Sequence, residues 1–461
     1  MEPTNNPSIF LDARTLKQFS KKIIRQMLNS WINRLPAIWR NPNRLLSADR
    51  FDIPAKIIYA RNFLRGTQDG WPTDLYLAHI SSFNSFFEKD PPKNTEADFL
   101  NTFNSLLEST ALRGVSKEIS TVPIDWRDLN FPINGAHRIA AGISLSKKIP
   151  CRLVDLKRRH RWDYSYFLNR GLKECYADAI ALEFVDVCRA TRAFVVYQHL
   201  DQWKDETEAA IAASGRIVYR KRVSIEENAR TEFTRLLYSD EKWVGNHENR
   251  FSGARQKAGE CFKKGGDVTL YLVIPNDRKS LLAGKNKLRE LSQVGKHSVH
   301  STDSWIETVG ISETLLNQNS LSSLGLRQYR PCFRFETFIK SFKRSAKTDG
   351  INLADVCLSG STVLAAFGLR DCNDIDYVGT SNTPEKFGQN QFHKHTSEVK
   401  YYAHSFEQIV SDPRFHFRYR GLKICTPEVV ARMKYRRSEP KDLVDLDLLR
   451  SVGAEGACKT G

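Results

Sequence analysis

The stretch Leu358-Ser-Gly-Ser-Thr-Val-Leu-Ala-Ala-Phe-Gly-Leu-Arg-Asp-Cys-Asn-Asp-Ile-Asp-Tyr-Val378 decides the fold predicted for the C-terminal part of the chain. An apolar strand end, a Gly-Ser turn, a short helix, a loop and a second strand follow one another along it. Residues i and i+2 of a strand point to the same face, so Asp374 and Asp376 project together. Adjacent carboxylates repel unless a cation lies between them, and Mg²⁺ prefers one or two carboxylates with phosphate oxygens and water. The stretch therefore predicts a magnesium site at Asp374 and Asp376.

The Gly360-Ser361 turn precedes the predicted helix, so its backbone N–H groups and the Ser361 hydroxyl are placed to hold a phosphate. Gly-Ser followed by Asp-x-Asp between apolar residues resembles the DNA polymerase β-like nucleotidyltransferase superfamily, over residues 335–450. The resemblance implies that Asp374 and Asp376 bind Mg²⁺ bridging the phosphates of a nucleoside triphosphate, ATP or CTP. The plain alternative is a simple turn beside two solvated carboxylates at a strand edge.

The same resemblance extends to a basic helix followed by Lys-Asp-x-x-Asp, which contains Lys434, Lys441, Asp442 and Asp445. Lys434 and Lys441 are candidates for holding the triphosphate, and an internal pairing role is favoured for the two aspartates. Many members of the superfamily carry a third carboxylate on a following strand. Glu398, at the start of a strand predicted over residues 398–402, is the residue nearest such a position. If it points away, the domain would bind nucleotide without catalysing transfer.

A second turn of the phosphate-binding type is predicted at Asn134–Arg138. A helix that begins at Gly135 offers free N–H groups and a positive dipole end, Arg138 can hold a phosphate bidentately, and His137 can orient or titrate. The strand–turn–helix–strand order resembles the ParB/sulfiredoxin fold, with Asn134 in place of the usual Asp. The resemblance implies nucleotide phosphate on this turn. The alternative is an ordinary turn with His137 and Arg138 on a surface helix.

Two other segments have an open role. Near the end of a predicted α/β unit, His300 and Asp303 follow a strand in the spacing His-x-x-Asp, which suits either a phosphorylated substrate or a structural hydrogen-bonded pair. Residues 15–35 place apolar side chains three or four apart with a basic opposite face, which predicts an amphipathic helix. Such a helix either lies on an anionic membrane surface or packs on its own domain.

The composition limits the compartment and the class of partner. The sequence contains neither a long apolar run nor a signal peptide, and its nine cysteines form no Cys-x-x-Cys, so we expect a cytoplasmic protein with reduced thiols, free or peripheral on the inner face of the membrane. A formal net charge of +17 favours an anionic partner: nucleic acid, anionic lipid or a phosphorylated small molecule.

We therefore predict a multidomain protein of mixed α/β and α+β class. The expected parts are a basic amphipathic helix (1–36), a ParB/sulfiredoxin-like domain (37–170), an α/β domain of unknown role (171–320) and a nucleotidyltransferase-like domain (331–452). Within them, residues 55–60 predict a strand and residues 318–330 a linker.

The expected function is a Mg²⁺-dependent phosphoryl or nucleotidyl transferase acting on a small metabolite or glycan precursor. The arrangement is similar to proteins of bacterial surface-polysaccharide biosynthesis, in which phosphorylation would precede nucleotidyl activation. The main alternative is a ParB-like nucleic-acid-binding regulator with a degenerate nucleotidyltransferase domain. A toxin-type nucleotidyltransferase acting on tRNA or protein is the third hypothesis.

Overall fold

The computed structural model describes residues 36–89, 92–122, 131–154, 160–328, 330–388 and 391–452. The described chain is mixed α/β, as the sequence predicts, and it divides into two compact units. The smaller comprises Met1–Leu46 and Ser105–His160, and the larger comprises Ser47–Asn104 and Arg161–Gly461. Residues 47–104 thus group with the C-terminal part, whereas the sequence places them in a 37–170 domain.

The helix predicted over residues 15–35 lies outside the described residues. In the part of the chain that the structure describes, no helix is both long enough and apolar enough to cross a membrane.

The helices and strands are numbered here in chain order. The strands are β1 (Ile38–Arg40), β2 (Glu88–Lys89), β3 (Pro92–Lys93), β4 (Ile119–Val122), β5 (Phe131–Pro132), β6 (Ile149–Leu153), β7 (Arg192–Tyr197), β8 (Gly215–Ser224), β9 (Asp267–Pro275), β10 (Val299–Ser301), β11 (Val356–Ser359), β12 (Ile375–Gly379), β13 (Phe392–Lys394), β14 (His416–Tyr419) and β15 (Leu422–Cys425). The helices are α1 (Asp52–Leu64), α2 (Trp71–Asn84), α3 (Glu96–Arg113), α4 (Ala136–Ser144), α5 (Tyr164–Leu168), α6 (Glu174–Val187), α7 (Lys204–Ser214), α8 (Arg230–Leu237), α9 (Ser252–Cys261), α10 (Arg278–Ser292), α11 (Trp305–Leu315), α12 (Gln318–Leu326), α13 (Phe333–Thr348), α14 (Ser361–Ala366), α15 (Phe406–Ser411), α16 (Pro427–Arg437) and α17 (Pro440–Arg450).

The smaller unit is built on a four-stranded sheet in the order β1-β6-β4-β5. Strands β4 and β6 are parallel, while β1 and β5 pair antiparallel with their neighbours at the two edges. Ile119, Ile139 and Ile149 are fully buried between this sheet and α4, so the apolar face of α4 supplies much of the core of this unit.

Besides the short pair β2–β3, the described part of the larger unit contains a four-stranded and a five-stranded sheet, each contacted by helices. The first has the order β10-β7-β9-β8, with antiparallel pairing throughout. Phe194, Val273 and Leu288 belong to its core, which α7 and α10 help to close.

The second sheet has the order β13-β12-β11-β15-β14 and positions the candidate site. Strand β11 runs antiparallel to β12 and parallel to β15, while β13 is parallel to β12 and β14 closes a hairpin with β15. All four residues of β11 are buried at the centre of this sheet, where helices α14 and α15 contact the strand.

Three sequence-based assignments of secondary structure are wrong. Residues 55–60 lie within helix α1, not a strand, because α1 is buried against α2 and α6 on most of its circumference and so lacks a clear helical stripe. Residues 318–326 form α12, not a linker, with the Asn317 side chain accepting a hydrogen bond from the Ser320 N–H at its N-terminus. Residues 399–401 form a 3₁₀ turn, not a strand.

Candidate active site

Asp374 and Asp376 lie where β12 begins, beside the end of β11. Antiparallel pairing sets Ser359 opposite Asp376, so the Gly360 turn and the start of β12 are neighbours in space. Ile375 and Tyr377 are fully buried, while Asp376 between them is not. The two-residue period of the strand therefore directs the core side chains to one face and the carboxylate to the other.

Gly360 is in direct contact with Asp376. Its backbone has φ 60° and ψ −137°, and a Cβ built on it would lie 2.2 Å from Oδ2 of Asp376. Only glycine satisfies both requirements, since other residues resist this conformation and a methyl group would overlap the carboxylate. The Ser361 hydroxyl lies 3.5 Å from Oδ1 of Asp374, at the long limit of a hydrogen bond. The Gly-Ser turn and both carboxylates thus form one cluster.

A chain of three buried polar side chains connects Asp376 to β11. Nε2 of His395 lies 3.3 Å from Oδ1 of Asp376, and Nδ1 of His395 lies 2.7 Å from the Tyr402 hydroxyl. The Tyr402 hydroxyl is in turn 2.6 Å from Oγ of Ser359 on β11. A carboxylate can only accept, so Nε2 of His395 carries the proton, and in the neutral imidazole Nδ1 accepts from Tyr402.

Neither His395 nor Tyr402 was singled out by sequence reasoning. The signal that points to His395 is the His-x-His pattern around β13, because β13 pairs in parallel with β12 and sets His393 opposite Asp376.

The two carboxylates differ in their affinity for a proton. Burial, followed by the charge of Asp376, raises the pKa of Asp374 above its ordinary value. Burial also acts to raise the pKa of Asp376, but the hydrogen bond and charge of His395 outweigh it and hold that pKa below its ordinary value. The repulsion that raises the pKa of Asp374 would be relieved by a cation between the two groups, so this donor pair fits Mg²⁺.

Lys434 is occupied by an internal ion network. Its ammonium is 3.0 Å from Asp442 and 2.7 Å from Asp445, and its side chain is almost fully buried. Arg437 completes the pairing of Asp442, and Arg370 forms a bidentate contact with Asp445 at 2.6 and 2.7 Å. The internal role predicted for the two aspartates agrees with these contacts. The phosphate-binding role predicted for Lys434 does not, because its ammonium is enclosed by carboxylates.

Glu398 does not extend the carboxylate pair. It precedes the 3₁₀ turn 399–401 and faces Arg437, with 3.9 Å between Oε2 and Nη1. Lys441 is exposed and pairs with Glu439 at 3.0 Å. Among the residues that the structure describes, no group of three or more His, Cys, Asp or Glu side chains is arranged to hold a metal. A bound Mg²⁺ would therefore rely on Asp374, Asp376, water and the phosphates of a substrate.

The turn at Asn134–Arg138 is fastened to β4 by side-chain hydrogen bonds. The side-chain oxygen Oδ1 of Asn134 accepts from the Ser120 N–H at 3.0 Å, and Nη1 of Arg138 donates to the backbone oxygens of Lys117 and Glu118 at 3.0 and 2.6 Å. Gly135, with φ 75°, precedes α4 as predicted. Part of the Arg138 guanidinium is thus used within the fold. His137 lies in the first turn of α4, and phosphate binding at this turn stays a prediction.

His300 has a different partner from the one that its spacing suggests. Its Nε2 lies 2.8 Å from Oε1 of Glu307, while Asp303 contributes only its backbone N–H, which donates to Oε2 of Glu307 at 2.8 Å. The Ser304 hydroxyl caps α11 by accepting from the Glu307 N–H. These bonds fasten β10 to the start of α11, so a structural role fits the cluster, with Glu307 as the partner of His300. Binding of a phosphorylated substrate at this segment stays a prediction.

Comparison with known proteins adds no assignment to this geometry: no family model, no curated protein and no solved structure matches the chain.

Proposed function

We propose that this protein is a Mg²⁺-dependent nucleotidyl or phosphoryl transferase whose reaction centre is formed by Asp374 and Asp376. The observation that carries the proposal is the contact between the Gly360 turn and the Asp376 carboxylate, which leaves no room for any side chain on Gly360. A turn with free N–H groups and two carboxylates at one edge of a sheet suits the binding of a metal–triphosphate complex.

Each group near the carboxylates has a definable task. Bound Mg²⁺ would neutralise charge on the phosphates of the substrate. Asp374 and Asp376 would hold that ion, and the backbone of Gly360 and Ser361 would bind phosphate oxygens. His395 fixes the orientation of Asp376. The positive charge of Lys434 lies close enough to help lower the pKa of Asp376. Lys434 thus influences the site electrostatically, although its ammonium stays paired with Asp442 and Asp445. Because Glu398 faces Arg437, water and the phosphates of the substrate would have to complete the coordination of the ion, and nucleotide binding without transfer is the other outcome of the test below.

The expected substrates are ATP or CTP and a phosphorylated small metabolite or glycan precursor, and a role in surface-polysaccharide assembly is proposed by analogy. The turn at Asn134–Arg138 would hold a second phosphate. We include peripheral contact of residues 15–35 with an anionic membrane as part of this proposal, and a cytoplasmic location with it.

The nucleic-acid-binding regulator is retained as the second candidate because the formal net charge of +17 favours it equally. A titration against random duplex DNA at increasing salt separates the two candidates. A regulator would bind tightly, with an affinity that falls steeply as salt rises, whereas weak binding at low salt would count against it.

The direct test of the transferase uses the full chain, Mg²⁺ and each labelled nucleoside triphosphate. Asp374→Asn together with Asp376→Asn should abolish Mg²⁺-dependent turnover. Glu398→Gln is the matched control, since Glu398 faces Arg437, and it should retain activity. Turnover that survives the double substitution would refute the proposed reaction centre. Loss of turnover in Glu398→Gln would show that Glu398 takes part as a third carboxylate.

A further inference from the structure

A cavity of about 140 Å³ with charged side chains in its wall lies in the larger unit. No residue of the motifs described above lines it. Helices α1 and α6 and the hairpin β14–β15 supply its charged lining, which consists of Arg61, Arg65, Glu183, Asp186, Arg418 and Lys423. Apolar side chains, among them Ile58, Trp71 and Leu182, complete its wall. The cavity therefore combines both signs of charge with an apolar surface.

Most of the cations around the cavity already have a carboxylate partner. Arg61 contacts Glu183 at 2.6 Å, and Nη1 of Arg418 donates to Glu313 at 2.9 Å. Arg65 is paired with Asp355. The permanent guanidinium charges are thus balanced within the protein.

Two charged side chains of the lining, Asp186 and Lys423, lack a counter-ion among the described residues. Asp186 forms no hydrogen bond and no ion pair with any of the described residues. The ammonium of Lys423 donates to the backbone oxygens of Ala354 and Val410 at 2.8 and 2.6 Å, but meets no carboxylate within ion-pair distance among the described residues. A carboxylate and an ammonium without counter-ions are costly where they are partly shielded from water, so the cavity favours an occupant that carries both a donor and an acceptor group.

The pKa values of the acidic and basic side chains of the cavity are shifted in the directions that favour their neutral forms. Burial raises the pKa of Glu183 to about 7 and raises that of Asp186 as well. Burial, with the charges of Arg418 and Arg65, lowers the pKa of Lys423 to about 7. Among the described residues Asp186 thus has no cation at ion-pair distance and Lys423 has no anion at that distance, whereas Glu183 is paired with Arg61. Phosphate would add negative charge beside Glu183 and Asp186, and a metal ion would add positive charge beside the arginines.

We propose that the cavity binds a small zwitterion of the α-amino acid class, with its ammonium on Asp186 and its carboxylate on Lys423. The apolar wall then receives a small aliphatic side chain, for which the volume is sufficient. The site is separate from the proposed reaction centre, because Ala354 precedes β11 at the cavity while Gly360 follows β11 at the carboxylates. The inference does not rest on the transferase.

The test measures the melting temperature of the full chain with each of the L-amino acids, followed by calorimetry on those that bind. At least one small aliphatic amino acid should raise the melting temperature. Its N-acetyl derivative and its amide, which lack the ammonium and the carboxylate respectively, should both fail to bind. The two derivatives test the zwitterion on the unaltered chain.

Asp186→Asn should weaken binding by at least about tenfold, as expected for the loss of one charge-assisted hydrogen bond. Asp447→Asn, a change at an exposed carboxylate on α17, is the control and should bind as the unaltered chain does. The proposal is overturned if no amino acid binds, if inorganic phosphate binds in their place, or if either derivative binds as well as the parent compound.

Discussion

Replacing Gly360 by alanine tests the contact that organises the candidate site. The substitution adds one methyl group, which would stand 2.2 Å from Oδ2 and 3.0 Å from Cβ of Asp376. Both distances are shorter than a van der Waals contact, so Asp376 or the turn has to move. Because Asp376 is held by His395, the movement also disturbs that hydrogen bond. We expect a loss of stability and a displaced carboxylate.

Two energetic costs determine how much the free energy of unfolding falls in Gly360→Ala. A non-glycine residue in this backbone conformation costs about 1–3 kcal/mol. Forcing a methyl group into an occupied space costs about 1–3 kcal/mol more. The free energy of unfolding, measured by urea denaturation, should therefore fall by roughly 4 kcal/mol in Gly360→Ala.

Gly350→Ala is the matched control, because Gly350 also has a positive φ, 69°, but has nothing within 4 Å of an added Cβ. It should lose only the backbone term, about 1–2 kcal/mol. Adding Asp376→Ala should recover part of the loss in Gly360→Ala, by more than about 1 kcal/mol, and none in Gly350→Ala. Equal losses for the two glycine substitutions would refute the close contact.

Three further predictions concern groups around the sheet and the cavity. His395→Ala should lower kcat and leave the KM for the nucleotide nearly unchanged, because His395 orients Asp376 without touching the substrate. Steady-state kinetics measures both constants, and a change in KM alone would contradict this role. Asp442→Ala should reduce the free energy of unfolding by about 3 kcal/mol in a urea titration, because it removes the carboxylate that pairs with the buried Lys434 and with Arg437; a loss under about 1 kcal/mol would show the pairing to be dispensable. Between pH 4.5, the ordinary pKa of a glutamate, and about pH 7, the folded chain binds a proton on Glu183 that the unfolded chain releases. The free energy of unfolding should therefore fall as pH rises through this window, by at most about 1.4 kcal/mol per pH unit. Glu183→Gln should flatten that slope, and an unchanged slope in pH-dependent denaturation would refute the raised pKa of Glu183.

The local geometry of the site could be predicted from sequence because it depends on short-range rules. The burial of Ile375 and Tyr377 around Asp376 follows from the period of a strand, and the glycine at position 360 follows from the demands of a tight turn. These features involve neighbours along the chain, so no knowledge of the tertiary fold is needed.

The remaining features depend on contacts between distant segments. His395 meets Asp376 only because β13 pairs with β12, and the sequence does not reveal that register. The positive charge of Lys434 is visible in the sequence, but its burial between Asp442 and Asp445 is a result of how α16 and α17 pack. The segment 55–60 resembles a strand because β-branched and aromatic residues cluster there, and packing on two other helices overrides this preference.

The measurement that tests the central claim most directly is metal binding by the full chain, followed with Mn²⁺ as a paramagnetic substitute for Mg²⁺ in the presence of a nucleoside triphosphate. The account predicts a protein-bound Mn²⁺ signal that disappears in Asp374→Asn with Asp376→Asn and persists in Glu398→Gln. A bound signal of the same strength in the double substitution would contradict the assignment of Asp374 and Asp376 as the metal ligands.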